Sequence, residues 1–341
     1  MKKKILVTGG TGYIGSHTVV ELIEAGYEPV IIDNLSNSNK SVLQQIEKIT
    51  GVLPEFHEIE LCDEGKVSQF VANNQIDGVI HFAASKAVSE SVEKPLKYYR
   101  NNFYSLINLL GAFDNRNVNF VFSSSCTVYG QPDELPVSEQ APVKKAESPY
   151  GNTKQVAEEI LQDVAIANKN FNIIALRYFN PVGAHASALI GELPIGVPQN
   201  LGPFITQSAI GKRGAITVYG NDYQTSDGSC IRDYIHVVDL AKAHVAALKR
   251  LEKDREKSYE VFNIGTGTGT TVLQLVNAFE AVTGVKLNYR IGDRRPGDIE
   301  KVWGDVSLSN SLLGWKAEHG IDEMMRSAWA WEQANAKLVF D

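Results

Sequence analysis

The sequence is poor in cysteine and has no long apolar run and no dense cluster of basic residues. Its 341 residues include three cysteines, Cys62, Cys126 and Cys230, which are too few and too widely spaced for a disulfide framework or a zinc motif. The seven histidines are scattered, without a pair at ligand spacing. The few cysteines and the scattered histidines predict a protein of a reducing compartment that has no metal site.

The charge balance and the first residues exclude further classes of protein. With 40 acidic and 33 basic residues the formal net charge is −7, which argues against nucleic acid or an acidic membrane surface as the main partner. The apolar run that follows the lysines at 2–4 covers residues 5–7, too short for the core of a signal peptide, and nothing later is long enough to span a membrane. We therefore expect a soluble cytoplasmic protein.

Short apolar runs alternate with stretches of helical periodicity over the first half of the chain. The apolar runs predict strands at 3–8, 29–32, 78–81, 120–122 and 172–176, with a weaker strand around Phe56. Helices are predicted from Ile14 onward and at 41–49, 66–72, 96–113 and 150–167. Strands that alternate with helices at this spacing predict an α/β fold in which helices cover both faces of a doubly wound parallel sheet.

The pattern of apolar and polar residues changes after Arg177. Glycine- and proline-punctuated loops dominate 180–233, whereas 237–251 is again helical and 261–264 resembles a strand. We therefore predict a Rossmann domain over residues 1–179 and a smaller α/β substrate domain over 180–341. The two are expected to interleave, with roughly 235–264 returning to the Rossmann sheet.

A glycine triplet follows the first predicted strand and opens the first predicted helix. Gly9, Gly12 and Gly15 allow a sharp turn, a close approach of the backbone to a pyrophosphate and tight packing of the helix on the sheet. Asp33 ends the next strand, where a carboxylate can bind ribose hydroxyls and would repel a 2′-phosphate. Together these residues predict a dinucleotide site that prefers NAD to NADP.

A tyrosine and a lysine lie one helical turn apart at the start of a predicted helix. Ser148 suits the N-cap and Pro149 the first helical position, so Tyr150 and Lys154 would share one face of that helix. An ammonium and a positive helix terminus both lower the pKa of a phenol from its ordinary value near 10, which would make Tyr150 a base. Such a pair also arises by chance in a chain of this composition, so its context decides the interpretation.

Other residues admit a functional and a structural interpretation. The second glycine-rich turn, 265–269, has the wrong spacing for the dinucleotide fingerprint and is predicted to be structural. We expect His81 to be a core residue and Cys126 to be a small packing residue. Arg232 and Arg295 either clamp phosphates or form surface ion pairs with the aspartates beside them.

Taken together, these features resemble the extended short-chain dehydrogenase/reductase superfamily and, within it, the family of UDP-glucose 4-epimerases. The resemblance runs nearly end to end and is carried by residues 8–17, 81–84, 86–88, 123–130, 148–154, 177–185, 220–223 and 232–237. It implies an NAD-dependent isomerase that interconverts UDP-glucose and UDP-galactose through a transient 4-keto sugar while NAD stays tightly bound. It also implies a homodimer joined through the helices at 96–113 and 150–167.

The resemblance also assigns roles to individual residues. The implied catalytic residues are Tyr150 as the base, Lys154 on the nicotinamide ribose, and Ser125 and Thr127 on the reacting hydroxyl. The implied NAD site includes Ser125, Tyr150, Lys154, Gly9, Gly12, Tyr13, Ile14, Gly15, Asp33, Asn34, Asn37, Ser38, Glu60, Leu61, Phe82, Ala83, Ala84, Ser85, Lys86, Asn101 and Phe179. The implied UDP-sugar site consists of Asn180, Asn200, Leu201, Tyr219, Arg232, Arg295, Asp298 and Val302.

Three positions depart from the family pattern and keep alternatives open. Glu60 stands where an aspartate near the adenine is usual, and Ser85 replaces a common leucine. Val302 aligns with a bulky tyrosine in members restricted to glucose and galactose, so activity on N-acetylated UDP-hexoses is an alternative. Related dehydratases carry an Asp-Glu pair where this chain has Thr127 and Val128, and a non-catalytic dinucleotide sensor would need no Tyr/Lys pair.

Overall fold

The computed structural model describes residues 2–253, 258–294 and 299–336. In chain order the strands of this part are β1 (Lys4–Thr8), β2 (Glu28–Asp33), β3 (Glu55–Glu58), β4 (Gly78–His81), β5 (Val118–Ser123), β6 (Phe171–Tyr178), β7 (Asn180–Val182), β8 (Ile216–Tyr219), β9 (Ile231–Arg232), β10 (Tyr234–His236), β11 (Tyr259–Ile264), β12 (Thr270–Thr271), β13 (Tyr289–Gly292) and β14 (Lys301–Val302). The helices are α1 (Tyr13–Glu24), α2 (Val42–Thr50), α3 (Glu64–Asn73), α4 (Val88–Glu93), α5 (Pro95–Ala112), α6 (Pro149–Ala167), α7 (Leu201–Ala209), α8 (Val237–Leu251), α9 (Val272–Thr283) and α10 (Ile321–Asn335).

A parallel sheet of seven strands organises the described residues, and its strand order is β11-β6-β5-β4-β1-β2-β3. Ile5 of β1 lies opposite Pro29 of β2 on one side and Gly78 of β4 on the other. The strand order therefore changes direction at β1, and at such a point the carboxyl ends of the strands leave a crevice for ligands. The predicted doubly wound α/β fold is confirmed.

Apolar cores cover both faces of the sheet, which explains the continuous apolar runs in the strands. Within β5, Phe120 and Val121 are fully buried but belong to opposite cores, as the alternation of side chains along a strand requires. Helices α1, α2 and α8 pack on one face, and α3, α5 and α6 pack on the other. Burying each of these large side chains contributes about 1.5–3 kcal/mol to folding.

The remaining described residues build a smaller lobe from short strands and helices. Its strands form the pairs β10-β7 and β13-β8 and the three-stranded set β12-β9-β14. Leu275, Phe279 and Met325 are fully buried at the centre of its core. Between segments of this lobe the chain returns to the large sheet, where β11 pairs with β6 along its length.

Three features of the fold bear on the sequence-based expectations. None of the helices within the described ranges is both long and apolar enough to cross a bilayer. The long helix expected at 96–113 begins at Pro95 and is preceded by a separate short helix, α4, because Lys94 leaves the helical conformation. The boundary between the two domains at residue 179 stays a prediction.

Candidate active site

The glycine turn between β1 and α1 leaves no room for side chains. A Cβ atom on Gly15 would lie 2.2 Å from the carbonyl oxygen of Gly9. Gly9 itself has a φ of +70°, and a Cβ there would lie 2.9 Å from the backbone nitrogen of Ala83 at the end of β4. Gly12 caps α1 without a side-chain hydrogen bond, so backbone N–H groups form the start of the helix. A turn with this shape fits a pyrophosphate at a helix N-terminus.

Asp33 organises the loop beside the glycine turn. Its Oδ2 accepts a hydrogen bond from the backbone N–H of Thr11 at 3.2 Å, and its Oδ1 accepts from the N–H of Leu35 at 2.9 Å and the hydroxyl of Ser38 at 3.1 Å. A carboxylate has about four acceptor positions, so one position remains after these three bonds. The carboxylate is fixed next to the glycine turn, where it can accept from a ribose hydroxyl.

The neighbouring loop residues lie where a cofactor's adenosine end is expected. Asn34 donates to Glu60 Oε2 at 2.7 Å, so these two predicted residues meet despite the departure at Glu60. Asn37 is exposed, whereas Leu61 is buried in the core and is held by its carbonyl, which accepts from the amide of Asn108.

The end of β4 brings a second group of predicted cofactor residues to the same edge. The backbone N–H of Ala83 donates to the hydroxyl of Thr8 at 3.4 Å, which joins the ends of β4 and β1. His81 contacts the same hydroxyl through Nδ1 at 2.8 Å and is 2% exposed. Burial and, to a smaller extent, the charge of Lys154 lower the pKa of His81 to about 3. His81 is therefore a neutral core residue, as predicted.

A residue that the sequence reasoning missed holds the loop after β4. Asn102, on α5, accepts from the N–H of Ser85 at 2.8 Å and donates to the Ser85 carbonyl at 3.1 Å. It also donates to the hydroxyl of Thr153 on α6, and its oxygen accepts from the amide of Asn101. Asn102 thus joins the predicted cofactor loop to the helix that carries Tyr150. A buried asparagine in a helix interior was the available signal.

Lys86 contacts the smaller lobe. Its ammonium lies 3.5 Å from Glu192, which also accepts from the amide of Asn200 at 2.8 Å. Tyr13 forms a second link, because its hydroxyl donates to the carbonyl of Gly183 at 2.6 Å. Residues predicted for the cofactor and for the UDP-sugar therefore meet between the sheet and the smaller lobe.

The start of α6 has the predicted cap. The Ser148 hydroxyl accepts from the N–H of Gly151 at 3.1 Å, and Pro149 occupies the first turn. One turn apart, Tyr150 and Lys154 are both buried, and the ammonium lies 6.0 Å from the centre of the Tyr150 ring. The ammonium donates to the carbonyl of Ser123 at the end of β5, at 2.7 Å. Tyr150 and the glycine turn are therefore both at the carboxyl edge of the sheet.

The acid–base properties of this pair differ from the expectation for Tyr150. Burial raises the pKa of Tyr150 above its ordinary value, and the nearby Tyr178 raises it further, while the Ser125 hydroxyl lowers it. Burial also lowers the pKa of Lys154 to about 8, although Glu158 opposes this change. Within the protein chain, burial outweighs the expected lowering of the Tyr150 pKa.

Ser125 follows the end of β5 and caps a short 3-10 helix, Cys126–Tyr129, which contains Thr127. Ser125 is 6% exposed, and its hydroxyl accepts from the N–H of Thr127 at 3.2 Å. The Thr127 hydroxyl oxygen is buried and has no hydrogen-bond partner among the described residues. Buried polar atoms are nearly always paired, so this hydroxyl fits a site that binds a polar ligand group.

On the substrate side, β9 places Arg232 beside Val302 of β14, directly opposite in register. Val302 is 4% exposed and belongs to a small core that also contains Phe179 and Tyr129. The positive charge of Arg232 lowers the pKa of Cys126, which burial raises to about 12, so Arg232 lies close to the 3-10 helix. Cys126 is thus no reactive thiolate, in agreement with its prediction as a packing residue.

The other predicted substrate residues are spread along the smaller lobe. Asn180 begins β7, and Asn200 caps α7, whose first residue is Leu201. Tyr219 ends β8 opposite Gly292 and is 47% exposed. The predicted residues Arg295 and Asp298 lie outside the described residues.

The second glycine-rich turn is structural, as predicted. The buried carboxylate of Asp233 accepts from the N–H groups of Thr266 and Gly267 at 2.8 and 3.0 Å. A Cβ on Gly265 would lie 2.4 Å from that carboxylate, so only glycine fits there. Asp233, which the sequence analysis considered only as a surface ion-pair partner of Arg232, is fully buried and holds this turn.

A buried ion pair beneath Lys154 was also missed. Glu158 on α6 accepts from the guanidinium of Arg177 on β6, with Nη2 at 2.6 Å from Oε2. Arg177 at the end of an apolar strand was the available signal, but nothing in the sequence indicated that it meets Glu158. Their contact joins the helix of the Tyr/Lys pair to the sheet.

Comparisons with known proteins agree with this geometry. Residues 5–265 match the NAD dependent epimerase/dehydratase family. The chain is 49% identical over 334 residues to the UDP-glucose 4-epimerase of Pasteurella multocida, covering 98% of each sequence. It resembles the UDP-glucose 4-epimerase of Bifidobacterium longum in complex with NAD⁺ and UDP, with a TM-score of 0.94 and 46% identity, covering 98% of this chain and 99% of the other. It likewise resembles the enzyme from Stenotrophomonas maltophila with bound NAD and formylated UDP-arabinopyranose, with a TM-score of 0.95 and 48% identity, covering 98% and 99% of the two chains.

Proposed function

Because the chain belongs to the NAD dependent epimerase/dehydratase family, we propose that it is a UDP-hexose 4-epimerase that interconverts UDP-glucose and UDP-galactose with bound NAD. The observation that carries the proposal is the common position of Tyr150, Lys154, the glycine turn and Asp33 at the carboxyl edge of one sheet. A base beside a dinucleotide site is what oxidation of a sugar alcohol requires.

The residues of the NAD site fit this cofactor. The turn at Gly9, Gly12 and Gly15 would receive the pyrophosphate, and Asp33 would accept from the adenosine ribose. Phe82, Ala83 and Lys86 would line the rest of the site. Bound NAD supplies a reversible two-electron oxidant, and the chain supplies the orientation of the substrate and the movement of the proton.

Tyr150 would take the proton of the sugar's 4-hydroxyl and return it after the sugar has turned. Ser125 and the unpaired hydroxyl of Thr127 would bind that oxygen and hold it near the phenol. Lys154 would bring positive charge near the phenol ring, and a positive charge nearby favours the phenolate. The uncapped N–H groups at the start of α1 and the carboxylate of Asp33 would keep NAD in place throughout.

The UDP moiety would supply binding energy away from the reacting carbon. Arg232 would bind the diphosphate, with Asn180, Asn200 and Tyr219 on the remainder of the nucleotide, and Arg295 and Asp298 are proposed for the same site. Binding energy from the unreactive part of a substrate leaves few contacts on the sugar ring. A ring held this loosely can present either face to the same oxidant.

The proposal is tested by incubating the holoenzyme with UDP-glucose and, separately, with UDP-galactose. We expect both reactions to reach the same mixture of the two sugars, measured by chromatography and mass spectrometry. A product that has lost water or two hydrogens would instead support a dehydratase or a dehydrogenase. Clean protein with neither bound cofactor nor isomerase activity would support a non-catalytic sensor.

The small side chain of Val302 supports a second candidate, activity on UDP-N-acetylglucosamine as well. Val302 lies beside Arg232 in register and in the same small core as Phe179, so its size affects the space near both sites. We expect kcat/KM for the N-acetylated sugar to exceed about a thousandth of that for UDP-glucose. A Val302→Tyr variant should lose at least about tenfold more activity on the N-acetylated sugar, because overpacking removes the space for the acetamido group. Equal losses on both sugars in this variant, with Val302→Ile as the control, would contradict the second candidate.

We further propose a cytoplasmic homodimer that pairs through α5 and α6. Leu96, Tyr104 and Ile107 on α5 are 80%, 52% and 49% exposed, and Ile166 on α6 is 64% exposed, an apolar surface that a second copy could cover. The three cysteines are free thiols, which suits a reducing compartment. Light scattering of the purified protein should give twice the chain mass of 37.5 kDa, and a monomer would refute the dimer.

A further inference from the structure

Glu158 lies on the same face of α6 as the Tyr/Lys pair, one helical turn beyond Lys154. It is 7% exposed and sits beneath the ends of β5 and β6. Its position, buried and close to the reacting groups, requires that its charge be compensated within the protein.

Arg177 provides that compensation through a bidentate contact. Its Nε lies 3.0 and 3.2 Å from the two oxygens of Glu158, and its Nη2 lies 2.6 Å from Oε2. The guanidinium is itself 6% exposed and stacks over the ring of Tyr129 at 4.8 Å. A pair with this geometry fixes the carboxylate in one place and orientation.

The same carboxylate also holds the end of β5. The fully buried hydroxyl of Ser124 donates to Glu158 Oε1 at 2.5 Å. Ser124 lies between Ser123, whose carbonyl accepts from the ammonium of Lys154, and Ser125, which is assigned to the reacting hydroxyl. One carboxylate therefore ties the helix of Tyr150 and Lys154 to the strand end that carries their partners.

Glu158 is also the charged group that acts on the protonation of Lys154. Burial lowers the pKa of Lys154 to about 8, and Glu158 raises it. The other titratable groups around this site are His81 on β4, Tyr98 on α5, Cys126 and Tyr129 on the 3-10 helix, Tyr150 on α6, Arg177 and Tyr178 on β6 and Tyr259 on β11. His81 is neutral, and burial raises the pKa of the tyrosines and of Cys126. Further charged side chains around the site are Arg232 and Asp233, which act on Cys126, and Glu139, whose backbone carbonyl accepts from Arg177.

We propose that Glu158, held by Arg177, is a positioning residue of the epimerase that keeps Lys154 protonated and holds Ser123 and Ser125 in place beside Tyr150. This inference rests on the proposed function and extends it to two residues that do not touch the substrate. The Glu158 carboxylate then has two roles. Its charge acts on Lys154, and its length allows the hydrogen bond to Ser124 that holds the end of β5.

The test compares the holoenzyme with its Glu158→Gln, Glu158→Asp and Glu159→Gln variants over pH 6 to 10. Glutamine keeps the length and removes the charge, so the alkaline limb of the kcat profile should move down by about one pH unit, with KM for UDP-glucose within about twofold. Aspartate keeps the charge and shortens the reach, so the limb should stay in place while kcat falls about tenfold. Glu159 is exposed on the same helix, and its variant should match the wild type.

If Glu158→Gln leaves the alkaline limb of the kcat profile in place, the inference is overturned and the ion pair has only a structural role. This conclusion holds whatever the thermal stability of the variant. If the glutamine variant does not fold, unchanged kcat in folded Glu158→Asp would overturn it equally. The Lys154 pKa is also read directly from the NMR shifts of labelled lysine in the wild type and the folded variants. That readout holds even if the wild type lacks epimerase activity, an outcome that would refute the proposed function and leave the placement of Glu158 to be judged by the lysine pKa.

Discussion

At the scale of single residues, burial controls the chemistry of the groups at the carboxyl edge of the sheet. It lowers the pKa of His81 to about 3 and of Lys154 to about 8, and it raises the pKa of Tyr150. The imidazole is therefore uncharged at neutral pH, and the phenol depends on positive charge nearby to become a base. The proton chemistry of the site rests on very few charges.

We predict that Tyr150→Phe lowers kcat for UDP-glucose by at least a hundredfold, because a general base contributes about 10²–10⁴-fold to the rate. Bound NAD, measured by its release on denaturation, should stay within twofold of the wild type. Tyr289→Phe, which changes a half-exposed tyrosine of β13, is the control and should leave kcat unchanged. A Tyr150→Phe enzyme within tenfold of the wild type would show that another group is the base.

At the scale of elements, the long strands and helices were predictable because their burial repeats along the sequence. Strand β4 has the predicted bounds of 78–81 and helix α8 those of 237–251. Strands β9, β12 and β14 have two residues each, too few to show an alternation, and none of them was predicted. The bonds of Asn102 and the pairing of Glu158 with Arg177 depend on how separate elements pack, so local patterns could not reveal them.

The glycine turn offers a test at this scale. Gly15→Ala should abolish retention of NAD, because the new Cβ would lie 2.2 Å from a backbone oxygen that cannot move without opening the turn. Gly111→Ala is the matched control, since nothing lies within 4 Å of a Cβ at that exposed position of α5. The measurement is the ratio of bound NAD to protein after gel filtration. Full retention of NAD in the Gly15→Ala protein would contradict the assignment of the pyrophosphate to this turn.

At the scale of the whole molecule, buried histidines make the folded state sensitive to acid. Burial lowers the pKa of His17, His81 and His236 to about 3 and of His244 to about 4. Between pH 6.5 and about 4 the unfolded chain binds protons at these rings and the folded chain does not. Each ring then removes up to about 1.4 kcal/mol of unfolding free energy per unit fall in pH.

We therefore predict that the midpoint of thermal unfolding falls as the pH is lowered from 7 to 5. Burial raises the pKa of Glu21 to about 7, so this carboxyl binds a proton in the folded state and opposes the loss of stability. It compensates for one of the four histidines. Scanning calorimetry of the holoenzyme at pH 7, 6 and 5 measures the change, and we expect a smaller change between pH 8 and 7, where the rings are mostly neutral in both states. An unchanged midpoint down to pH 5 would show that these histidines are not buried as described.

The strand that closes one edge of the large sheet is separated in sequence from its neighbour. β11 pairs with β6 only after the chain has passed through much of the smaller lobe and through α8. During synthesis the backbone N–H and C=O groups on one side of β6 therefore stay unpaired until some eighty further residues have left the ribosome. A fragment cut at the predicted domain boundary would keep that open edge permanently and would be prone to aggregate.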